Sequence, residues 1–499
     1  MKNQHVGFFF VFLYIYKKPT TLMLKINYLS KVLTGAFFII IIVAFSSCFR
    51  YESIPFVSLK ARVGVQSTTV RAGDTVRFSQ LSSEVARNFI WEFGDSTLSN
   101  EPNPTHIYRN IGIYQVKMKA LKADNSTADS VLVAMQVLPK SQKPTTLQTV
   151  GAGNTDETAT ALTSTANGYL MVGRKDVNTI LLISLTTNFT VSWAREVRNI
   201  TNSAGLVQVR DAIEAIDGSL VIVGYVSYNN NQDNDAFIVK FDATGTESWR
   251  KIIATTRDEK YNSLAEVNGN YVAFGALEND NGKQILLDNY SDDGTLLFSS
   301  TFLSGGSAEN IATTIDGGFV VAINYNQAPG LLKINPVGTI EWVSIADFEG
   351  EALGVAALSD RNYVLVGRKK LTTNESANSD STAAFINKLN DVGSVIWQKE
   401  FQLYSDSFVD VIENQSKEIV VLGINTNPTS RQDAVLCRYD SKAGNLLRVR
   451  FYGGLGQDFA SKIILNTDGT YTIAGESESF ATNNFRKDAF IAKIVALLE

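Results

Sequence analysis

Four tryptophans recur at nearly constant spacing along roughly the last three hundred residues, each in the same local setting. Trp193, Trp249, Trp342 and Trp397 stand four residues after Phe189, Gly245, Gly338 and Gly393. Phe298 and Arg448 hold the same place after Gly294 and Gly444. The intervals from 193 to 249, 298, 342, 397 and 448 are 56, 49, 44, 55 and 51 residues. Periods of this size mark repeat architectures, in which each unit buries its apolar surface against the next. The next slot falls at residue 499, the chain end, and the strand it would need lies near Leu147. A last unit completed by a segment from before the first makes a closed ring, which leaves no sheet edge to protect.

One unit reads Asp211–Gly218, then Ser219-Leu220-Val221-Ile222-Val223-Gly224, then Asp235-Ala236-Phe237-Ile238-Val239-Lys240-Phe241-Asp242, then Gly245 to Trp249-Arg250-Lys251. This is four short strands separated by turn signals. The second strand is apolar on both faces, as in Leu220–Val223, Phe319–Ala322 and Tyr363–Val366, and so is buried on both sides. It closes on Gly173, Gly224, Gly275, Gly367, Gly423 and Gly475, with Ile323 in the fourth place. The third strand alternates, and the fourth carries the Trp with charges such as Arg250, Lys399 and Glu400. A gradient from buried to polar across four strands is what a propeller blade requires, with the Trp wedged between adjacent blades. The expected fold over 145–499 is a seven-bladed β-propeller whose outermost strand in the seventh blade comes from 145–150. An open array or solenoid is the competing architecture, disfavoured by four strands per unit and a Trp at a blade-like period. The repeats resemble a family of propeller-forming repeats in bacterial surface and secreted proteins, with consensus D-G-G-Y-V-V-A-G, D-A-F-L-V-K-L-D and G-x-x-x-W. Asp316–Val321 and Asp235–Asp242 match it best, and the third and sixth units, with Phe298 and Arg448 for Trp, match it least. The resemblance implies a fold rather than an activity.

A smaller domain precedes the repeats at 56–139, between linkers at 49–55 and 140–144. Phe89-Ile90-Trp91-Glu92-Phe93-Gly94-Asp95-Ser96, Pro104-Thr105-His106-Ile107-Tyr108 and Gly112-Ile113-Tyr114-Gln115-Val116 follow in order. These blocks resemble the PKD domain, an immunoglobulin-like β-sandwich with the pattern W-x-F-G-D-G, P-x-H-x-Y, G-x-Y-x-V; Ser96 replaces the last Gly. Trp91 and Phe93 share one strand face and would fill the core. Tyr108 and Tyr114 would bury their rings while bonding through their hydroxyls. Asp95 is read as a turn cap and His106 as bonded to a neighbouring loop. The resemblance implies a spacer or binding module. The expected fold class is therefore all-β: an immunoglobulin-like β-sandwich plus a seven-bladed β-propeller closed by an N-terminal strand.

Residues 1–48 read as a leader: Lys25 and Lys31, an apolar run from Val32 to Phe45, then Ser46-Ser47-Cys48. Cys48 is the candidate lipidation site, because a Cys after two small residues resembles the bacterial lipoprotein signal; Phe45 departs from that pattern. Met23 is an alternative start, and a retained membrane anchor is the alternative reading of the apolar run. The expected location is the bacterial outer membrane, on either its surface or its periplasmic face. The remaining cysteine, Cys437, lies in an alternating strand and reads as a buried side chain. Stability without disulfides then falls to a large core, for which 499 residues suffice.

A net charge of −5 with 19% charged residues argues against a nucleic-acid partner. Beyond the leader one His remains, His106, so neither a His-based triad nor a His-ligated metal is expected in the repeats. No cofactor and no metal site are expected. Asn229–Asp235 and Glu278–Gly282 are oxygen-rich but lack the spacing of a calcium loop. Arg174 and Arg368 both follow a closing Gly and are the candidate ligand-binding residues, suited to an anionic or sugar-rich ligand. The alternative for each is an ordinary solvated rim charge. The expectation from sequence is a protein that is not an enzyme: a lipid-anchored envelope scaffold whose loop face binds a glycan or a protein partner. The competing reading is a secreted polysaccharide-active enzyme using loop carboxylates.

Overall fold

The computed structural model describes residues 60–495 apart from 83–85, 124, 145, 151–155, 202–204, 229–233, 280–281, 372–381, 404, 427–431, 455 and 482–485. Cys48, the leader and parts of the two oxygen-rich loops, 229–233 and 280–281, lie outside the described residues. All regular structure among them is β.

The small domain is a sandwich of two sheets. Val63–Val65, Thr75–Gln80 and Thr105–Ile107 form one; Thr69–Arg71, Thr127–Leu138, Gly112–Leu121, Asn88–Glu92 and Leu98–Ser99 form the other. Alternation along Asn88–Glu92 turns Trp91 inward, where its ring lies 5.5 Å from that of Phe78. The expected tyrosine bonds are present: Tyr108 donates to the Phe93 carbonyl at 3.0 Å and Tyr114 to that of Asn110 at 3.0 Å. Asp95 accepts the Thr97 amide at 3.1 Å and meets His106 Nε2 at 2.8 Å, while the imidazole stacks on Phe93. Ser96, where the family pattern has Gly, adopts φ 73°.

Seven four-stranded antiparallel sheets follow. Six are built from consecutive strands, spanning 158–198, 206–253, 258–302, 306–345, 350–401 and 405–452. The seventh takes three strands from 458–494, and Thr146–Val150 pairs with Asp488–Ile494 as its fourth. The first strand of each sheet packs on the first strand of the next, and that of the seventh packs on that of the first. Ser461 Oγ donates to the Ala159 carbonyl at 2.7 Å, and Tyr169 bonds Asn466 at 2.7 Å, so this last junction is hydrogen-bonded. The sequence of sheets returns to its start, in a propeller-like arrangement.

The closing glycines have one cause. Every first strand carries a bulge at the same height, and in six sheets the glycine faces the residue just before it, for example Val209↔Gly224 and Tyr261↔Gly275. The bulged backbone comes so close that a Cβ on Gly275 would lie 1.8 Å from the Lys260 carbonyl oxygen. The fourth sheet has Ile323 there and answers it with Gly330 directly opposite, where the second has Phe237 and the fifth Phe385.

The tryptophans join neighbouring sheets. Each covers the left-handed glycine in the turn before the next sheet's fourth strand: Trp193 on Gly245, Trp249 on Gly294, Trp342 on Gly393, Trp397 on Gly444. Three also donate their indole N–H to a turn carbonyl: Trp249 to Asp292 (2.9 Å), Trp342 to Asp391 (2.9 Å), Trp397 to Ser441 (3.2 Å). A nearly buried lysine on the third strand pairs with the turn aspartate of its own sheet: Lys240–Asp217 at 3.0 Å, Lys333–Asp316 at 2.9 Å, Lys388–Asp360 at 2.8 Å. Burial pushes the Asp316 carboxyl up, but bonds from Thr314 and Lys333 outweigh it and hold it down at about 2.

The sandwich rests on the sixth sheet. Arg71, 2% exposed, bonds Asp433, which is fully buried, and Ser141 Oγ at 2.8 Å. Its guanidinium lies 4.8 Å from the centre of the Phe451 ring, and Gln142 bonds the backbone of Phe451 and Gly453. Asp433 is the second residue of the third strand, Gln432–Tyr439, so the sandwich sits at the sheet end that carries the loops after the second strands.

Candidate functional site

A cavity of about 470 Å³ opens at that same end, between the fourth and fifth sheets. Its polar lining is Gln327, Glu349, Glu351, Arg368, Lys370 and Thr382. The fold places these groups by simple register. In the fifth sheet Glu351 pairs across the ladder with Arg368 and Gly350 with Lys369, just before the bulge between Ala352 and Gly354. Gln327 sits in the turn of the fourth sheet and accepts the Gly350 amide at 2.9 Å, which fixes the floor between the two sheets. A Cβ on Gly350 would lie 2.3 Å from the Arg368 carbonyl oxygen, so the close approach needs glycine.

Two ion pairs cross the cavity wall. Arg368 donates through Nε at 3.0 Å and Nη2 at 2.7 Å to one oxygen of Glu351, and Lys370 lies 3.3 Å from Glu349. Arg368 is 46% exposed, so water competes with its pairing and the pair adds little to stability. What remains is a set of preplaced donors and acceptors that a ligand can share or displace. A fork of N–H donors, an ammonium, two carboxylates, an amide and a hydroxyl suit a ligand rich in hydroxyls better than a simple anion, which the carboxylates repel.

Arg174 is not part of this cavity. It holds the matching place in the first sheet, half-buried and opposite Thr158, with its amide 3.3 Å from Thr158 Oγ1. The two arginines thus share a register position but belong to sheets one and five. Glu349, Glu351, Lys370, Gln327 and Thr382 were not singled out from sequence. Glu351 was the accessible one, because its pairing with Arg368 follows once the bulge is counted. A wider hollow of about 640 Å³ lies among the opposite ends of the first strands. Its carboxylates already serve the fold: Glu266 accepts the Ile216 amide at 2.8 Å and Glu413 that of Ser359 at 3.0 Å, each from a neighbouring sheet's turn.

Comparison with known proteins adds three findings. The PKD domain model matches residues 60–135, so the small sandwich is a PKD domain. No curated protein matches the chain in sequence. Similar solved structures include a virginiamycin B lyase from Staphylococcus aureus bound to quinupristin, at 15% identity and TM-score 0.46, over 69% of this chain and 98% of that one. A quinonprotein alcohol dehydrogenase-like protein from Bacteroides thetaiotaomicron follows at 12% identity and TM-score 0.38, over 77% and 93%. A puromycin hydrolase is similar at 12% identity and TM-score 0.40, over 83% of this chain and 58% of that one. The expectation that the chain is not an enzyme is corrected by these comparisons, since a lyase and a hydrolase stand among the similar structures. At these identities and scores the likeness assigns no reaction, substrate or site to this chain.

Proposed function

We propose that the seven sheets are the blades of one closed β-propeller, spanning 145–499, and that its loop face binds a glycan. The cavity between the fourth and fifth sheets carries this reading, because its charged groups are placed by the ladder before any ligand arrives and stay open to solvent. We further infer that the chain is exported and held at the outer membrane through lipid on Cys48; the order Lys31, apolar run, Ser46-Ser47-Cys48 supports this. The PKD domain, seated on the sixth sheet, then stands beside the binding face. A protein partner of the envelope is the alternative ligand.

A glycan array probed with residues 49–499 tests the reading. A defined subset of glycans should bind, and Arg368→Ala should weaken that binding by about tenfold, the effect of losing hydrogen bonds from one charged group. Incubating the bound glycans and looking for shortened products separates binding from turnover. An array without binding, or binding indifferent to Arg368→Ala, would contradict the assignment.

A further inference from the structure

Among the described residues four of the seven junctions carry an indole joint, and the one between the third and fourth sheets, where the slot still holds an aromatic ring, does not. Between the third and fourth sheets the tryptophan slot holds Phe298, which pairs with Asn289 as Trp249 pairs with Lys240 and Trp342 with Lys333. Phe298 does not cover the next turn. Among the described residues, a Cβ on Gly338 would meet no atom within 4 Å, whereas those on Gly245, Gly294, Gly393 and Gly444 would each press into an indole. Gly338 is exposed where Gly245, Gly294 and Gly444 are buried. Phe298 is 51% exposed and Val337, beside the glycine, 83%.

The second tie is missing as well. Lys240 and Lys388 reach across to the next sheet's turn, at Asp292 and Ser441. Asn289 replaces that lysine, and among the described residues its buried Oδ1 has no hydrogen-bond partner. The junction therefore presents a notch: an exposed left-handed glycine, the free flank of Phe298, and the Pro336 carbonyl at the turn position where the filled joints accept an indole N–H.

The filled joints define what fits. Four times in this chain an indole covers such a glycine, and three times it donates its N–H to the turn carbonyl. The occupant does not come from this chain or from a second copy of it. The chain has five tryptophans, four of them in joints and Trp91 fully buried in the sandwich. We propose that the notch between the third and fourth sheets is a docking site for an exposed tryptophan side chain of another protein, continuing the row of indole joints along the outer strands. This surface is distinct from the cavity at Arg368 and does not depend on the glycan reading.

The test uses the purified full chain and N-acetyl-5-fluorotryptophanamide, observed by fluorine NMR. Line broadening should saturate with protein concentration. The corresponding fluorophenylalanine amide, which has no indole N–H, should bind about fivefold more weakly, the effect of one lost hydrogen bond. Phe298→Trp should fill the notch from within, abolish probe binding and raise the unfolding temperature, which also shows that the variant folds. No saturable broadening with the wild type, or broadening that persists in Phe298→Trp, would overturn the proposal.

Discussion

Gly275→Ala should be among the most damaging single-methyl changes in this chain. The added Cβ would lie 1.8 Å from the Lys260 carbonyl oxygen, 2.8 Å from its carbon and 2.9 Å from Tyr261 Cα. All three are backbone atoms of a bulged strand buried among neighbouring sheets, so no side chain can swing aside. Relief requires the first and second strands of the third sheet to part, which opens the ladder through Tyr261↔Gly275. Overpacking costs about 1–3 kcal/mol, and the upper end is expected here because only backbone can give way. Gly218→Ala is the control: φ is 80° there but no atom lies within 4 Å of the new methyl. It should cost only the left-handed backbone penalty, about 1 kcal/mol. Denaturant titrations of the two variants give the comparison, and equal losses would refute the close-approach account of the closing glycines.

Asp433→Ala carries the second large effect. It strands the Arg71 guanidinium, 2% exposed, between the sandwich and the sixth sheet with only Asp74, 3.3 Å away, as a counter-charge. Breaking a buried ion pair from one side costs about 3 kcal/mol or more, because the remaining charge stays desolvated. Burial and the neighbouring Asp433 charge both push the Asp458 carboxyl up, against hydrogen bonds from Ser477 and Ser479, so removing Asp433 should also bring Asp458 down toward its ordinary range. Calorimetry should show the sandwich melting separately and earlier in Asp433→Ala. The double variant Arg71→Met, Asp433→Leu should regain most of the loss, since an apolar pair leaves no charge unpaired. A single unshifted transition in Asp433→Ala would show that the ion pair does not hold the sandwich in place.

What the sequence shows depends on the range over which each feature acts. The tryptophan slots, the closing glycines and the apolar second strands are local and periodic, so they are visible as repeats, and the pairing of Thr146–Val150 with Asp488–Ile494 follows from counting strands. The reason for each glycine was hidden, because the clash it avoids is with a bulge about fifteen residues earlier. Ile323 looks like a defect until Gly330 is seen opposite it. Phe298 occupies the right slot in sequence yet leaves its joint open, since slot identity does not reveal whether a shorter ring without an N–H reaches the next turn. Arg71 and Asp433 are 362 positions apart, and nothing periodic links them. At the candidate site Arg368 was legible as a repeat position, but Glu351 and Glu349 emerge only from strand register and Gln327 only from the packing of one sheet on the next. Arg174 shows the converse: an equivalent repeat position need not be an equivalent site.

Hydrogen exchange across Thr146–Val150 tests ring closure most directly. If this strand completes the seventh sheet, its ladder amides should be protected to the level of other fourth strands, such as Val395–Phe401. Exchange of 146–150 at the rate of open chain, with Tyr471–Ser477 and Asp488–Ile494 still protected, would show that the seventh sheet stands without it and that the ring is not closed this way.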